Sequence, residues 1–203
     1  MVGKLILELK ADNLFDNTYI FFFSDHGGPF PRYKRSIYDT GIRCPLIIKW
    51  INKEDNSRNK QLISFVDFAP TMLDISGIKS SNTMEGISFF NKNLREYIFA
   101  ATDRFDESVD QRRCVRTKKF KLILNLDTSS SVGKENNYRK QMKTMQVLDS
   151  LNENNLISGY FKKWYQPTKN KYEFYDISKD PFELKNLFYD SNYTYEVKEH
   201  MSQ

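Results

Sequence analysis

Residues 19–45, YIFFFSDHGGPFPRYKRSIYDTGIRCP, decide how this chain folds. Tyr19 to Phe23 form an unbroken apolar run, and a short run apolar on both faces after a helical segment suits a buried parallel strand. Asp25 and His26 are among the first polar side chains beyond it, at the carboxyl edge where open α/β sheets bind ligands. Gly27 and Gly28 let the backbone turn close to whatever lies there. Asp25 is a hard oxygen donor suited to calcium or magnesium, while His26 is a softer ligand or a hydrogen-bond donor to an anion. Strand-end Asp and Gly are also common turn punctuation, so a cap and a satisfied polar group remain the alternative reading. Lys34, Arg35 and Arg43 are anion donors near the same place or a solvated charge run.

Outward from this stretch, Val2, Leu5, Ile6 and Leu9 share one helical face. The opening residues are too short and too charged for a signal peptide, and read as a helix already in progress within a longer protein. Cys44 to Trp50 is a second strand of the buried parallel kind, and residues 51–61 are a polar surface loop. Residues 64–78 carry a helix, with Asp67 as N-cap, Pro70 in its first turn and Gly77 at its end. Tyr97 to Ala101 is another strand. Asp103, Arg104 and Asp106 follow it, facing either a substrate pocket or solvent.

Beyond residue 104 the texture changes. Residues 114–126 alternate like an antiparallel pair, and residues 172–177 like one further strand. The polar segment 127–137 is loop, and Met142, Met145, Leu148 and Leu151 mark one side of a helix. In SKDPFELKNL, Asp180 as cap, Pro181 at the first helical position and Glu183 completing a capping box predict a short helix. The basic stretch 112–121 meets an anionic glycan or forms an exposed, alternating strand face. The expected architecture is α/β: a partial parallel-sheet core over 1–103, then a smaller α+β unit with an antiparallel sheet over 104–203.

Composition narrows the function classes. In 203 residues, 39% hydrophobic and 15% aromatic, a packed core is feasible. A net charge of +5 suits an anionic substrate as well as nucleic acid, but no RNA-binding or zinc-finger pattern occurs. No run approaches a membrane span. Cys44 and Cys114 offer no metal spacing, and are either thiols or one bridge.

The order Ser24-Asp25-His26-Gly27, Lys34, Tyr38-Asp39-Thr40-Gly41, Arg43, Pro45 resembles a sulfatase block of the alkaline-phosphatase-like superfamily. VDFAPTMLD at 66–74 is similar to a second block of that family, and EFYDISKDPFELKNL at 173–187 to its closing box. GGPFPR at 27–32 and VRTKKFKL at 115–122 resemble the branch with the heparan N-sulfatases and related bacterial enzymes. The resemblance implies the C-terminal part of an enzyme that hydrolyses sulfate esters or sulfamates, with a sulfated sugar as substrate. It implies Asp25 and His26 (in place of the more frequent Asn) on a divalent cation, usually Ca2+. It also implies Lys34 on the sulfate oxygens, while Arg43, just after Gly41 at the entry to a strand, reads as structural, tying loop carbonyls together. The family nucleophile, a formylglycine made from Cys or Ser in C/S-x-P-x-R, has no counterpart here. Only His26 and His200 are available as histidines, His200 in a polar tail. The intact enzyme is expected to be exported or lysosomal. A phosphodiesterase or phosphonate hydrolase of the same superfamily, and a non-catalytic scaffold binding sulfated glycans, are the rival expectations.

Overall fold

The computed structural model describes residues 1–52, 58–90, 95–134 and 136–203. Residues 53–57 of the expected surface loop lie outside the described residues, as does Glu135 of the loop at 127–137. Helix α1 (Val2–Ala11) leads to β1 (Ile20–Phe23), α2 (Asp39–Ile42) and β2 (Leu46–Lys49). A 3-10 turn at Phe65–Asp67 runs into α3 (Phe68–Ile75). Strands β3 (Ile98–Phe105), β4 (Ser108–Arg116) and β5 (Phe120–Asn125) follow. Next come α4 (Asn137–Lys140), α5 (Lys143–Glu153), α6 (Phe161–Trp164) and β6 (Tyr172–Asp176). A second 3-10 turn at Ser191–Tyr193 precedes α7 (Thr194–Met201).

Strands β1 and β2 were expected as members of a parallel sheet, and the structure corrects their pairing. They pair with each other antiparallel, from Ile20 opposite Lys49 to Phe23 opposite Leu46. The intervening loop folds back on itself: Ser24 N–H donates to the Pro45 carbonyl (3.3 Å) and Gly27 N–H to that of Gly41 (2.8 Å). The chain therefore returns beside the strand it left, in the opposite sense. An apolar run on both faces reports burial and says nothing of direction. Even that burial is partial in this chain, because Phe22, Phe23 and Ile47 stay substantially exposed. Phe21 and Phe23 pack on Phe68, with ring centroids 6.2 and 5.0 Å apart, and Trp50, Phe65, Phe89 and Phe90 extend this aromatic cluster.

The second sheet is antiparallel throughout, in the order β3-β4-β5-β6. Strand β3 belongs to it and runs across residue 103. Cross-strand partners share a face, and here the two faces differ in chemistry. Val115, Phe120, Leu122 and Phe174 form an apolar layer closed by Leu187 and by Val197 of α7. On the other face Cys114, Ile123 and Tyr175 pack against Ile37 and Tyr38, so the loop leaving β1 docks directly on this sheet.

Three expectations for this region fail. The segment after Asp180 forms turns rather than a helix. The Asp180 carboxylate accepts from the N–H groups of Leu184 and Lys185, and Glu183 takes a left-handed φ of 56° that points its side chain inward. His200 is not in a polar tail but buried on α7, with Nδ1 donating to the Glu196 carbonyl (2.7 Å) and its ring 5.4 Å from that of Phe174. In the basic stretch, Arg112, Arg116 and Lys121 are buried and paired, so it is not an open glycan-facing strand. Inward-facing strand positions, every second residue, carry the cations because carboxylates wait opposite them.

Candidate functional site

The loop from Ser24 to Arg43 is shaped by backbone first. Ser24 Oγ donates to the His26 carbonyl (2.6 Å), which closes a turn around Asp25. A Cβ on Gly27 would stand 2.0 Å from the Thr40 carbonyl oxygen, and one on Gly41 would stand 2.3 Å from the carbonyls of Tyr33 and Ser36. Both positions accept only glycine. Lys34 N–H then donates to the Gly28 carbonyl (3.0 Å), so the segment carrying Lys34 is tied back to the glycines beside His26.

Asp25 is 81% exposed and does not cap the turn; its carboxylate faces His26 Nε2 at 3.5 Å. His26 Nδ1 donates to the Gly27 carbonyl (2.7 Å), which in the neutral ring leaves the Nε2 lone pair outward, beside the Asp25 oxygens. That is the donor arrangement a cation needs, with the backbone fixing the tautomer. It fits as part of a metal site. Among the described residues no group of three or more His, Cys, Asp or Glu assembles that could hold a metal ion. Cys44 lies close enough that burial, then the Asp25 charge, raise its thiol pKa. Cys44 and Cys114 are both free thiols, which settles the choice between thiols and a bridge.

Around Lys34 the structure gathers cations. Arg35 Nε pairs with Asp106 Oδ2 (2.7 Å), and buried Arg139 donates to the Lys34 carbonyl (3.3 Å). The pKa of Arg139 falls to about 10, first through burial and then through repulsion by Arg35 and Arg112. Such a locally positive field suits an anionic ligand. The strand expected to end at Ala101 runs on to Phe105, so Asp103 and Arg104 lie within β3 and only Asp106, in the turn after it, reaches this loop. Asp103 instead pairs with Arg113 (2.8 Å), and Arg104 Nε donates to the Asp106 carbonyl (3.0 Å). Arg43 is exposed, and the carbonyl-tying task expected of it falls to Arg32. The Arg32 guanidinium donates to the carbonyls of Phe182 (2.6 Å) and Glu183 (3.2 Å). It lies 4.0 and 4.1 Å from the rings of Tyr38 and Tyr160.

Beneath the loop lies an ion network that sequence reasoning missed. Arg116 grips Asp39 with Nε on Oδ1 (2.9 Å) and a terminal nitrogen on Oδ2 (2.7 Å). Lys121 Nζ sits 3.1 Å from Asp39 and 2.8 Å from Glu183, whose other oxygen accepts the Asp39 N–H (2.6 Å). Burial raises the Asp39 pKa, but Arg116 and Lys121 outweigh it and hold the carboxyl below its usual range. Beside them Glu173 accepts from the hydroxyls of Tyr38 (2.8 Å) and Tyr175 (2.5 Å) and from Asn125 (2.7 Å). The Tyr38-Asp39 stretch and the closing segment 173–187 thus meet in space. The signal was present as apolar strand alternation interrupted by charges at inward positions. Asp67, expected as the N-cap of the helix, makes no side-chain cap bond to α3; it turns back to accept the Ser64 N–H (2.8 Å) in a capping box led by Ser64, accepts the Ile87 N–H (2.8 Å) and pairs with Arg95.

Comparison with known proteins bears on the family and the fold. The Sulfatase family model matches residues 1–78. An ulvan-active sulfatase of Formosa agariphila is 44% identical over 190 residues, covering 92% of this chain and 32% of that protein. A solved structure in complex with its substrate D-glucosamine-2-N,6-O-disulfate superposes with a TM-score of 0.66 at 24% identity, over 99% of this chain and 36% of that one. The phosphonate monoester hydrolase of Agrobacterium radiobacter gives 0.65 at 18% identity, over 98% of this chain and 36% of that one. The fold is therefore of the alkaline-phosphatase-like class, which serves more than one chemistry. Within that class the chain belongs to the sulfatase family, as a C-terminal portion. It spans about a third of the length of the relatives it matches.

Proposed function

We propose that this chain supplies the lysine and part of the metal site of a sulfatase acting on sulfated sugars. The observation that supports it best is the loop closure from Gly28 to Lys34, which keeps Lys34 on the same folded-back segment as Asp25 and His26. Asp25 and His26 Nε2 would hold a divalent cation, for which carboxylate character favours Ca2+. The cation, when bound, supplies positive charge to the sulfate oxygens. Lys34 adds a point charge, offsetting the negative charge that grows on those oxygens as the sulfur–oxygen bond breaks. The nucleophile, a formylglycine by family resemblance, comes from a segment outside these 203 residues, because no Cys or Ser among them stands in a C/S-x-P-x-R context. A sulfated sugar as substrate follows from the relatives named above, and export of the whole enzyme from the family resemblance. No helix of the described residues is long and apolar enough to cross a membrane.

The test is sulfate release from a sulfated oligosaccharide by the full-length protein, beside a phosphonate monoester. Sulfate release that falls about 10²- to 10³-fold in Lys34→Met supports the proposal. Turnover of the phosphonate alone would move the protein to the other branch of the fold. Binding of the oligosaccharide without any turnover would leave a non-catalytic scaffold.

A further inference from the structure

Lys34 is the one reacting-centre side chain proposed above whose ammonium must be aimed. It stands at the end of four rotatable bonds, in a segment whose backbone is not relaxed. Arg32 and Arg35 on either side of it both take left-handed φ, 66° and 65°. Non-glycine residues adopt that region at a cost, so neighbours must impose the shape. The Arg32 side is held by the carbonyls and rings already described. The Arg35 side, and Lys34 itself, are held by residues more than a hundred positions away on α4 and by the β3–β4 turn.

We infer that Tyr138 and Asp106 are positioning residues for Lys34. The Tyr138 ring lies under two cations at once, 5.6 Å from Lys34 Nζ and 4.6 Å from the Arg35 guanidinium. Tyr138 is 45% exposed and belongs to no core cluster, so packing does not account for its place. Asp106 anchors Arg35 at 2.7 Å and is itself gripped by Asn136 Nδ2 (2.7 Å). The carbonyl oxygen of the same Asn136 side chain accepts the Arg139 N–H (3.1 Å) and caps the short helix that carries Tyr138. One asparagine thus couples the Asp106 anchor to the Tyr138 platform, and Arg139 returns to the Lys34 carbonyl (3.3 Å). The ring faces the ammonium through its negative quadrupole, which orients the charge without neutralising it as a carboxylate would. The inference rests on the reading of Lys34 as a sulfate-facing group, and its test separates the two.

The test uses the full-length protein. The acetylation rate of Lys34 with acetic anhydride is followed by peptide mass spectrometry, with Lys118 and Lys119 as internal standards and the melting temperature as the folding control. Tyr138→Ala should speed Lys34 acetylation about two- to fivefold, and Tyr138→Phe, which keeps the ring, should restore the native rate. Asp106→Asn should speed tryptic cleavage after Arg35 by a similar factor. Unchanged Lys34 reactivity in Tyr138→Ala, with the fold intact, overturns the positioning role. Inorganic sulfate is then added as a probe: slower Lys34 acetylation in the native chain supports the anion role as well. Tyr138→Ala behaving as expected while sulfate has no effect retains the positioning and removes the sulfate reading of Lys34.

Discussion

Replacing Lys121 with Met tests the buried ion network directly. Lys121 and Glu183 are fully buried, and Asp39 and Arg116 nearly so. The four charges cancel. Lys121→Met keeps the volume but leaves two carboxylates facing one guanidinium. Arg116 remains on Asp39, so the uncompensated charge falls on Glu183, which keeps only the Asp39 N–H at 2.6 Å. Removing one partner of a buried pair costs about 3–5 kcal/mol, and that is the loss expected in urea unfolding at pH 7 followed by the fluorescence of buried Trp164. Lys121→Met/Glu183→Gln restores neutrality and should be more stable than the sum of the single changes by about 0.5–3 kcal/mol. The penalty also depends on pH. Burial already raises the Glu183 pKa more than Lys121 lowers it, and losing Lys121 raises it further. A carboxyl with a folded-state pKa above its unfolded value, about 4.3, destabilises fully above the folded pKa and is relieved as pH falls through it. The deficit of Lys121→Met should therefore shrink as the pH is lowered from about 7 toward the ordinary carboxyl value of about 4.3. Asp39, whose pKa is depressed, loses its contribution only below about pH 3.9, outside that window. A loss at pH 7 well under the roughly 3 kcal/mol expected of a broken buried pair, or strict additivity in the double variant, would refute the reasoning.

Gly27→Ala places a methyl 2.0 Å from a backbone oxygen and should cost about 1–3 kcal/mol in thermal unfolding. Gly28→Ala, whose nearest neighbour is a Phe30 ring carbon at 3.5 Å, should lie close to the native protein; equal losses would deny that Thr40 sets the turn. With limiting maleimide, Cys44 should label well before Cys114, whose thiol burial pushes up to about 12, and comparable rates by peptide mapping would contradict the burial of Cys114. Glu173→Leu removes the acceptor shared by Tyr38 and Tyr175, and a loss of about 1–3 kcal/mol on urea unfolding is expected. A neutral result there would mean the two hydroxyls find other partners.

The sequence alone determined the local elements with a strong period and the residues that follow them. The antiparallel pair around residue 118, the strand at 172–177 and the helix after Asp67 were legible because inward apolar positions repeat at two or at three to four residues. Asp25, His26 and Lys34 were legible as candidates because a glycine-rich turn follows an apolar strand. Pairing direction was not, since the antiparallel return of β2 depends on a loop closing through carbonyls that no residue type announces. Glu183 shows the deeper limit. Its spacing from Asp180 satisfied a capping box, a local rule, yet Lys121 and the Asp39 N–H, 62 and 144 positions away, offer a buried glutamate more than a helix start could. Asp106 was legible as a candidate, but its pairing with Arg35 and the place of Tyr138 were beyond reach for the same reason. Their partners lie far along the chain, and a contact between distant segments is decided by packing, after the local periodicities have been spent.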